Sequence, residues 1–292
     1  MPLVNGIDML RAARRQGYAV GGFDIFDFES VQAVIAAAEA ERSPVFLQAC
    51  VNSAEYLGFE QAALIMRDAA ERATVPVAVH YDHGPKMTCL TEIAQALQAG
   101  FTSVMIDESR LPVDENIELT RQAVHMAHDD GAGAEGEIGQ IGRITGGRAD
   151  EVALKMAQAG SAHDWLTSVQ EAVRFVNETG VDYVAVSIGS VSGSSSRLNL
   201  PLLRELAGMI GIPLVLHGGS GVPAEDLQQA IALGLAKVNI AHGVRRAFIK
   251  AMRDGLADGK NTDNPYALLA AGRQAMQDYV ATKIRQLRPA GN

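Results

Sequence analysis

The sequence is poor in cysteine, in positive charge and in long apolar runs. Its two cysteines, Cys50 and Cys89, are too few and too unpatterned for a disulfide framework. No apolar run approaches the 18 residues of a membrane-spanning helix, and the N-terminus lacks the basic and apolar regions of a secretory signal. The net charge of −9 argues against nucleic acid or an anionic membrane as the main partner. These absences predict a soluble protein of the reducing cytoplasm.

A further absence concerns cofactors: no Gly-x-Gly-x-x-Gly follows the first predicted strand, which counts against a dinucleotide-binding fold. The chain instead alternates short apolar runs with amphipathic segments and has no linker. The predicted strands are residues 19–24, 45–49, 77–80, 103–107, 133–137, 183–187, 213–216 and 237–240. Eight such units in 292 residues predict an α/β fold, a (β/α)₈ TIM barrel that forms a single domain over residues 1–292. An open, doubly wound sheet is the alternative.

Two segments depart from this alternation. Residues 139–163 contain five glycines and are too long for an ordinary connection, which predicts a long active-site loop that closes over substrate. A helix at 164–178 restores the pattern. A C-terminal helical extension at about 265–287 carries more apolar residues than a barrel needs, so it either covers the barrel bottom or packs on a second subunit.

Two stretches place a histidine at the end of an apolar run. Residues 213–221 read PLVLHGGSG: a short strand, then His217, then glycines that let the chain turn with N–H groups facing an anion. Residues 80–84 read HYDHG and follow a second apolar run. The glycine turn and the residues around Asn239, after the last two strands, occupy the usual phosphate position of barrels. The two stretches predict a site where a metal and a phosphate group act on one substrate.

Polar residues also follow the other strands, at the barrel end that carries catalytic groups. His83, His217 and a carboxylate such as Glu137 are ligand types for a divalent metal, Zn²⁺ by preference. Asp82 lies beside His83 in the sequence and would move a proton on a carbon next to a metal-polarised carbonyl. The residue types therefore predict acid–base chemistry assisted by a Lewis acid.

Seven motifs follow one another in a fixed order along the chain. They are GFD at 22–24, SPV at 43–45, HYDHG at 80–84, SVMID at 103–107, EGEIG at 135–139, LHGGSG at 216–221 and KVNI at 237–240. In this order they resemble the class II, metal-dependent fructose-bisphosphate and tagatose-bisphosphate aldolases, from about residue 3 to residue 287. The resemblance implies a Zn²⁺-dependent lyase, with one metal per subunit, that cleaves a ketose (bis)phosphate to dihydroxyacetone phosphate and an aldehyde. It also implies a homodimer or homotetramer.

The resemblance also implies roles for individual residues. Asp82 would transfer the proton, His83 and His217 would be metal ligands, and Glu137 would lie near the metal. The acidic pair of the family's mobile loop falls at residues 150–151, so Glu151 is the predicted second catalytic residue. Residues expected to hold the substrate and its phosphate are Gly193, Gly218, Ser220 and Asn239.

This chain departs from the family around the metal and the donor phosphate. Ser192 stands where relatives carry a third histidine ligand, and Ser196, with Arg197 beside it, replaces a phosphate-binding lysine. His242 replaces a hydroxyl residue after the eighth strand. Three hypotheses follow: an ordinary aldolase with a shifted ligand set, an aldolase whose donor carries another anion bound by Arg197 or His242, or a catalytically silent sugar-phosphate sensor. A metal-free isomerase barrel would leave the HYDHG stretch unexplained.

Overall fold

The computed structural model describes residues 2–83, 89–145, 148–158, 165–257, 259 and 263–289. The strands in these ranges are β1 (Leu3–Val4), β2 (Val20–Asp24), β3 (Val45–Cys50), β4 (Val77–Asp82), β5 (Ser103–Ile106), β6 (Gly133–Ile138), β7 (Gly142–Thr145), β8 (Arg148–Ala149), β9 (Tyr183–Val186), β10 (Val191–Ser192), β11 (Leu214–Leu216) and β12 (Leu235–Ile240). The helices are α1 (Ile7–Gln16), α2 (Phe28–Ala40), α3 (Val51–Leu57), α4 (Phe59–Arg72), α5 (Cys89–Ala99), α6 (Val113–Asp129), α7 (Glu151–Gln158), α8 (Val169–Thr179), α9 (Leu200–Met209), α10 (Ala224–Ala232), α11 (His242–Ala257) and α12 (Pro265–Gln286).

Eight parallel strands close into a barrel in the order β2-β3-β4-β5-β6-β9-β11-β12, and β12 pairs back with β2. The predicted (β/α)₈ TIM barrel is confirmed, and the open sheet is excluded because both candidate edges are paired. Each predicted strand coincides with one of these eight. A small second sheet, β10-β7-β8, lies outside the barrel order.

Alternation along each strand sorts its side chains between two cores. In β3, Leu47 packs outward against the helices, whereas Phe46 packs inside the barrel. The apolar residues in the interior are Val20, Phe46, Ala78, Met105, Tyr183, Ala185, Val215 and Ala236. Helix α1, which the sequence analysis did not predict, buries Leu10 in this same cluster. The apolar interior therefore lies away from the carboxyl ends of the strands, where polar groups collect.

Residues 139–163, predicted as a long active-site loop, contain regular secondary structure in the part that the structure describes. Strands β7 and β8 form an antiparallel hairpin there, and α7 follows it. The Asp150 N–H donates to the Arg143 carbonyl (2.9 Å), and the Asp150 carboxylate accepts from the Ala153 N–H (2.8 Å) at the start of α7. The Asp150 contacts thus join the hairpin to the start of α7. The predicted helix at 164–178 begins at Val169, after the N-cap Ser168; residues 159–164 lie outside the described ranges.

The C-terminal helix α12 packs on α2 and α11. Its residues Leu268, Met276 and Ile284 are buried within the chain. Their apolar character is therefore explained by packing inside one subunit and does not by itself indicate a second one. No helix in the described ranges is both long enough and apolar enough to cross a bilayer.

Candidate active site

The inward-facing positions at the carboxyl ends of the barrel strands carry polar side chains. They are Asp24, Cys50, Asp82, Asp107, Glu137, His217 and Asn239. Their sequence neighbours in the strands pack outward in the main core. Buried polar groups are costly unless they are paired or bind a ligand, so this end of the barrel is the candidate active site.

Two histidines face each other at its centre. His83 Nε2 lies 2.7 Å from His217 Nδ1, and the two rings meet edge to face with centroids 4.4 Å apart. His83 follows β4 with a φ of +57°, a left-handed conformation that is uncommon outside glycine and recurs at functional sites. His217 follows β11 on the inward side. The structure therefore brings together the two imidazoles that the sequence analysis predicted as ligands.

A buried ion pair, Glu135 with Lys237, contacts His217 at the ring nitrogen that does not face His83. His217 Nε2 lies 3.0 Å from Glu135 Oε1, and Lys237 Nζ donates to Glu135 Oε2 at 2.6 Å. Burial opposes ionisation of Glu135, but Lys237 and the hydrogen bond with His217 outweigh it and lower its pKa to about 2. Lys237 had been missed as a site residue because it lies in the middle of an apolar strand. The available signal was its spacing: Lys237 lies two residues before Asn239 on the same strand, so both side chains point into the barrel.

Asp82 lies beside the histidine pair at the end of β4. Its Oδ1 accepts from Asn239 Nδ2 at 2.9 Å, and His80 Nε2 lies 3.7 Å from the same oxygen. Burial works against the charged form, but the neighbouring His83 and the hydrogen bond from His80 hold the pKa of Asp82 well below its ordinary value. Asp82 is therefore an ionised carboxylate with a fixed orientation.

A second pair of carboxylates lies on the other side of His83. Asp107 Oδ2 lies 2.9 Å from His83 Nδ1, and Ser109 Oγ donates to both Asp107 and Glu137. Burial opposes the charge on Asp107, but the contacts with His83 and Arg143 keep its pKa below the usual range. Burial and the nearby Asp107 raise the pKa of Glu137 well above its ordinary value. The pKa values of these two adjacent acids are thus shifted in opposite directions.

These residues fit a divalent cation, although not in the predicted combination. Two sets of three residues offer ligand atoms within 4.8 Å of one another: Asp82, His83 and His217, and His83, Asp107 and Glu137. The predicted set had joined Glu137 to both histidines, whereas in the structure Glu137 groups with His83 but not with His217. Glu137 Oε2 is buried and has no hydrogen-bond partner among the described residues, as expected of an atom near a ligand site.

The predicted phosphate residues lie along one rim of the site. Gly218 has a φ of +75°, which favours glycine, and it opens the turn at Gly219–Gly221 after β11. Ser220 Oγ accepts from the Gly243 N–H in the first turn of α11 (3.3 Å). Gly193 lies close to His242, because a Cβ on Gly193 would be 3.0 Å from His242 Nε2. Helix N-termini and glycine turns favour anions, so this rim suits a phosphate group.

For three of the predicted residues the structure shows contacts or exposure that differ from the predicted role. Arg197 pairs with Glu225 and Asp226 at the start of α10 (both 2.7 Å). Asp150 fixes the hairpin and caps α7, as described above. Glu151 is exposed in the first turn of α7.

Gln48 is a site residue that the sequence analysis missed. It is buried on β3, and its carboxamide lies across Gly22 of β2, where any Cβ would overlap Gln48 Oε1. Gln48 Nε2 and Asn239 Oδ1 are buried and have no partner in the described part of the chain. A hydroxyl group between them would satisfy both a donor and an acceptor.

Cys50 lies in a charged corner of the site with Asp24 and Arg245. Arg245 pairs with Asp24, and Cys50 Sγ lies 3.4 Å from Arg245 Nη2. Burial and the Asp24 carboxylate raise the pKa of Cys50 to about 11. We therefore expect Cys50 to react with iodoacetamide at least about 10-fold more slowly than an unfolded thiol at pH 7.5. Rapid labelling of Cys50 in the native protein, measured by peptide mass spectrometry, would contradict this.

The histidine pair makes a prediction about pH. Burial and the Arg143 charge lower the pKa of His83 below its ordinary value of 6.5. Metal binds neutral imidazole, and a lowered folded-state pKa means that His83 becomes protonated only at more acidic pH. Zinc affinity, measured by chelator competition from about pH 5 to about pH 8, should therefore fall with a midpoint below 6.5. A midpoint at or above 6.5 would contradict the expected effect of the lowered His83 pKa on zinc binding.

Comparison with known proteins agrees with this geometry. Residues 4–292 match the family described as fructose-bisphosphate aldolase class-II. The chain is 38% identical to a fructose-bisphosphate aldolase of Geobacillus stearothermophilus, covering 100% of this chain and 99% of the relative. It is 37% identical to a sulfofructosephosphate aldolase of Alkalicoccus urumqiensis, covering 98% and 96%. The crystal structure of the YdjI aldolase from Escherichia coli K12 superposes with a TM-score of 0.82 at 31% identity, covering 99% and 98%. With its closed barrel and its aspartate beside two facing histidines, the chain belongs to the class II fructose-bisphosphate aldolase family of lyases.

Proposed function

We propose that this protein is a zinc-dependent aldolase that reversibly cleaves a ketose (bis)phosphate to dihydroxyacetone phosphate and an aldehyde. The observation that carries the proposal is the placement of Asp82, an ionised carboxylate, beside the facing nitrogens of His83 and His217. This arrangement puts a base next to the place where a carbonyl oxygen would meet a cation.

His83 and His217 would hold the metal. When bound, the metal would polarise the donor carbonyl and so acidify the neighbouring carbon. Because Asp82, and not Glu137, has a ligand atom within 4.8 Å of ligand atoms of both histidines, we place Glu137 as a neighbour of the metal and not as a ligand. Ser192 offers only a hydroxyl, a poor zinc ligand beside imidazole.

Asp82 would take the proton from the donor carbon and return it in the reverse direction. Asn239 binds Asp82 Oδ1, which leaves Oδ2 for the proton transfer. A fixed base near the reacting carbon contributes about 10²- to 10⁴-fold to such steps. Gly218 and Ser220 would orient the donor phosphate, and Glu151 on α7 would supply an acid to the acceptor side when the hairpin closes.

A second candidate differs in the anion that the substrate carries. Arg197 pairs with Glu225 and Asp226, and Ser196 stands where relatives carry a phosphate-binding lysine, so His242 is left on the rim as a hydrogen-bond partner for an anion. One relative is named a sulfofructosephosphate aldolase. A ketose monophosphate that carries a sulfonate or carboxylate is therefore the alternative substrate.

The test is an aldehyde-release assay with a panel of substrates, on protein prepared without chelator. Fructose bisphosphate, tagatose bisphosphate and 6-sulfofructose 1-phosphate separate the two candidates. Metal content is measured in parallel on four variants. His83→Ala and His217→Ala should lose zinc, whereas Ser192→Ala and Glu137→Ala should keep it. Zinc-free wild-type protein that still cleaves a substrate would overturn the metal-dependent proposal.

The assembly and location remain predictions of the same proposal. We propose a homodimer or homotetramer of single-domain subunits in the cytoplasm. Exposed apolar side chains on the last two helices, Ile249, Leu256 and Tyr266, offer a contact surface. Sedimentation showing only the 31.0 kDa species would exclude the assembly.

A further inference from the structure

His83 is shared by the two candidate cation sites, one on each side of its ring. Its Nε2 faces His217 in the set that includes Asp82, and its Nδ1 faces Asp107 in the set that includes Glu137. A divalent ion could thus approach either face. The Asp107 face offers two carboxylates to a cation and the other face offers one, so the ligand types alone do not direct the metal to His217.

Arg143 already lies on the Asp107 face. Its Nη2 donates to Asp107 Oδ2 at 2.6 Å and lies 2.9 Å from His83 Nδ1. The sequence analysis had assigned this residue to a loop and gave it no role. The guanidinium therefore places a permanent positive charge where a second cation would bind.

The backbone of Arg143 is fixed on both sides. Its N–H donates to Asp150 Oδ1 at 3.1 Å, and Arg110 pairs with the other oxygen of the same carboxylate at 2.8 Å. In the pairing of β7 with β10, Arg143 lies next to Ser192. Paired positions carry neighbouring side chains, so Arg143 is adjacent to Ser192, the residue that stands where relatives carry a third histidine ligand. The hairpin thus holds the arginine in the site.

We propose that Arg143 is a built-in cation that fills the His83–Asp107–Glu137 site and so confines the metal to the His83–His217 face. The inference rests on the proposed metal dependence of the enzyme. A fixed positive charge within a few ångströms repels a divalent ion and neutralises the carboxylate that would attract it. Arg143 is thereby a positioning residue: it occupies the Asp107 side of His83, so that the metal binds on the side that faces His217.

The test compares zinc stoichiometry in four proteins by equilibrium dialysis and calorimetry. Wild type should bind one Zn²⁺ per subunit, and Arg143→Lys, which keeps the charge, should also bind one. Arg143→Gln should bind a second Zn²⁺, and adding Asp107→Asn to it should remove that second ion. Arg110→Gln is the matched control, because it loosens the same hairpin without contacting His83, and it should bind one.

Several results would overturn the inference. It fails if Arg143→Gln binds a single ion with unchanged affinity, if the second ion of Arg143→Gln survives Asp107→Asn, or if wild type binds two ions. Circular dichroism and melting temperature show whether each variant is folded, and the Arg143→Lys result separates charge from packing. If wild type binds no zinc but Arg143→Gln binds one through Asp107, the role of Arg143 stands and the metal-dependent function fails. If neither binds zinc, both fail.

Discussion

Replacement of Asp82 by asparagine is expected to lower turnover by about 10³-fold while leaving the protein folded and its zinc in place. Asparagine keeps the shape of Asp82 and can still contact Asn239, but it cannot accept a proton. The structure places Asp82 beside the histidine pair with one oxygen fixed by Asn239. The loss should therefore fall on the proton-transfer step.

The direct measurement is deuterium exchange at the donor carbon of dihydroxyacetone phosphate, followed by NMR. Asp82→Asn should abolish exchange, whereas Asp129→Asn, at an exposed carboxylate ending α6, should exchange at the wild-type rate. Loss of zinc from Asp82→Asn would show that Asp82 is a ligand. Unchanged exchange would show that another residue is the base.

The second large effect is expected at the buried ion pair below His217. Glu135→Gln leaves Lys237 as an uncompensated charge at 0% exposure. Breaking a buried pair by removing one partner costs about 3–5 kcal/mol of the free energy of unfolding, so the melting temperature should fall by roughly 10 °C. Zinc affinity should also fall by about 10- to 100-fold, because Glu135 orients His217.

The double variant Glu135→Gln with Lys237→Met is the matched control. It removes both charges and should recover most of the stability lost in either single variant, but not the zinc affinity. A stability loss in the double variant equal to the sum of the single losses would show that the two residues do not act as a pair.

The same carboxylate makes stability depend on pH. The pKa of Glu135 is about 2 in the folded protein against an ordinary value of 4.5. A lowered folded-state pKa contributes stability that is fully present above the ordinary value and is lost as pH falls toward the folded value. Urea unfolding of wild type and Glu135→Gln should therefore differ most above pH 4.5 and converge as pH falls toward 2.

The barrel and the identity of the histidine pair could both be predicted from the amino-acid sequence. Strand and helix patterns are local, since alternation along a strand and the helical repeat depend on neighbouring residues. The match between the predicted and observed strands follows from this. His83, His217 and Asp82 could be found because each directly follows or ends an apolar run, and parallel strands bring such ends together.

Which groups meet around those histidines depends on contacts between residues that lie far apart in the sequence. Lys237 reaches Glu135 across 102 residues of chain, and Arg143 reaches Asp107 across 36. Neither contact leaves a local pattern, because an inward lysine in an apolar strand and an arginine between glycines each have many possible partners. The division of the carboxylates between the two faces of His83 also depends on strand register and on the β7–β8 hairpin. This hairpin lies in a segment whose glycine content predicted a loop. Local periodicity specifies the strands and helices, because it depends on neighbouring residues. Burial and the electrostatic contacts between distant residues arise only once the barrel has closed.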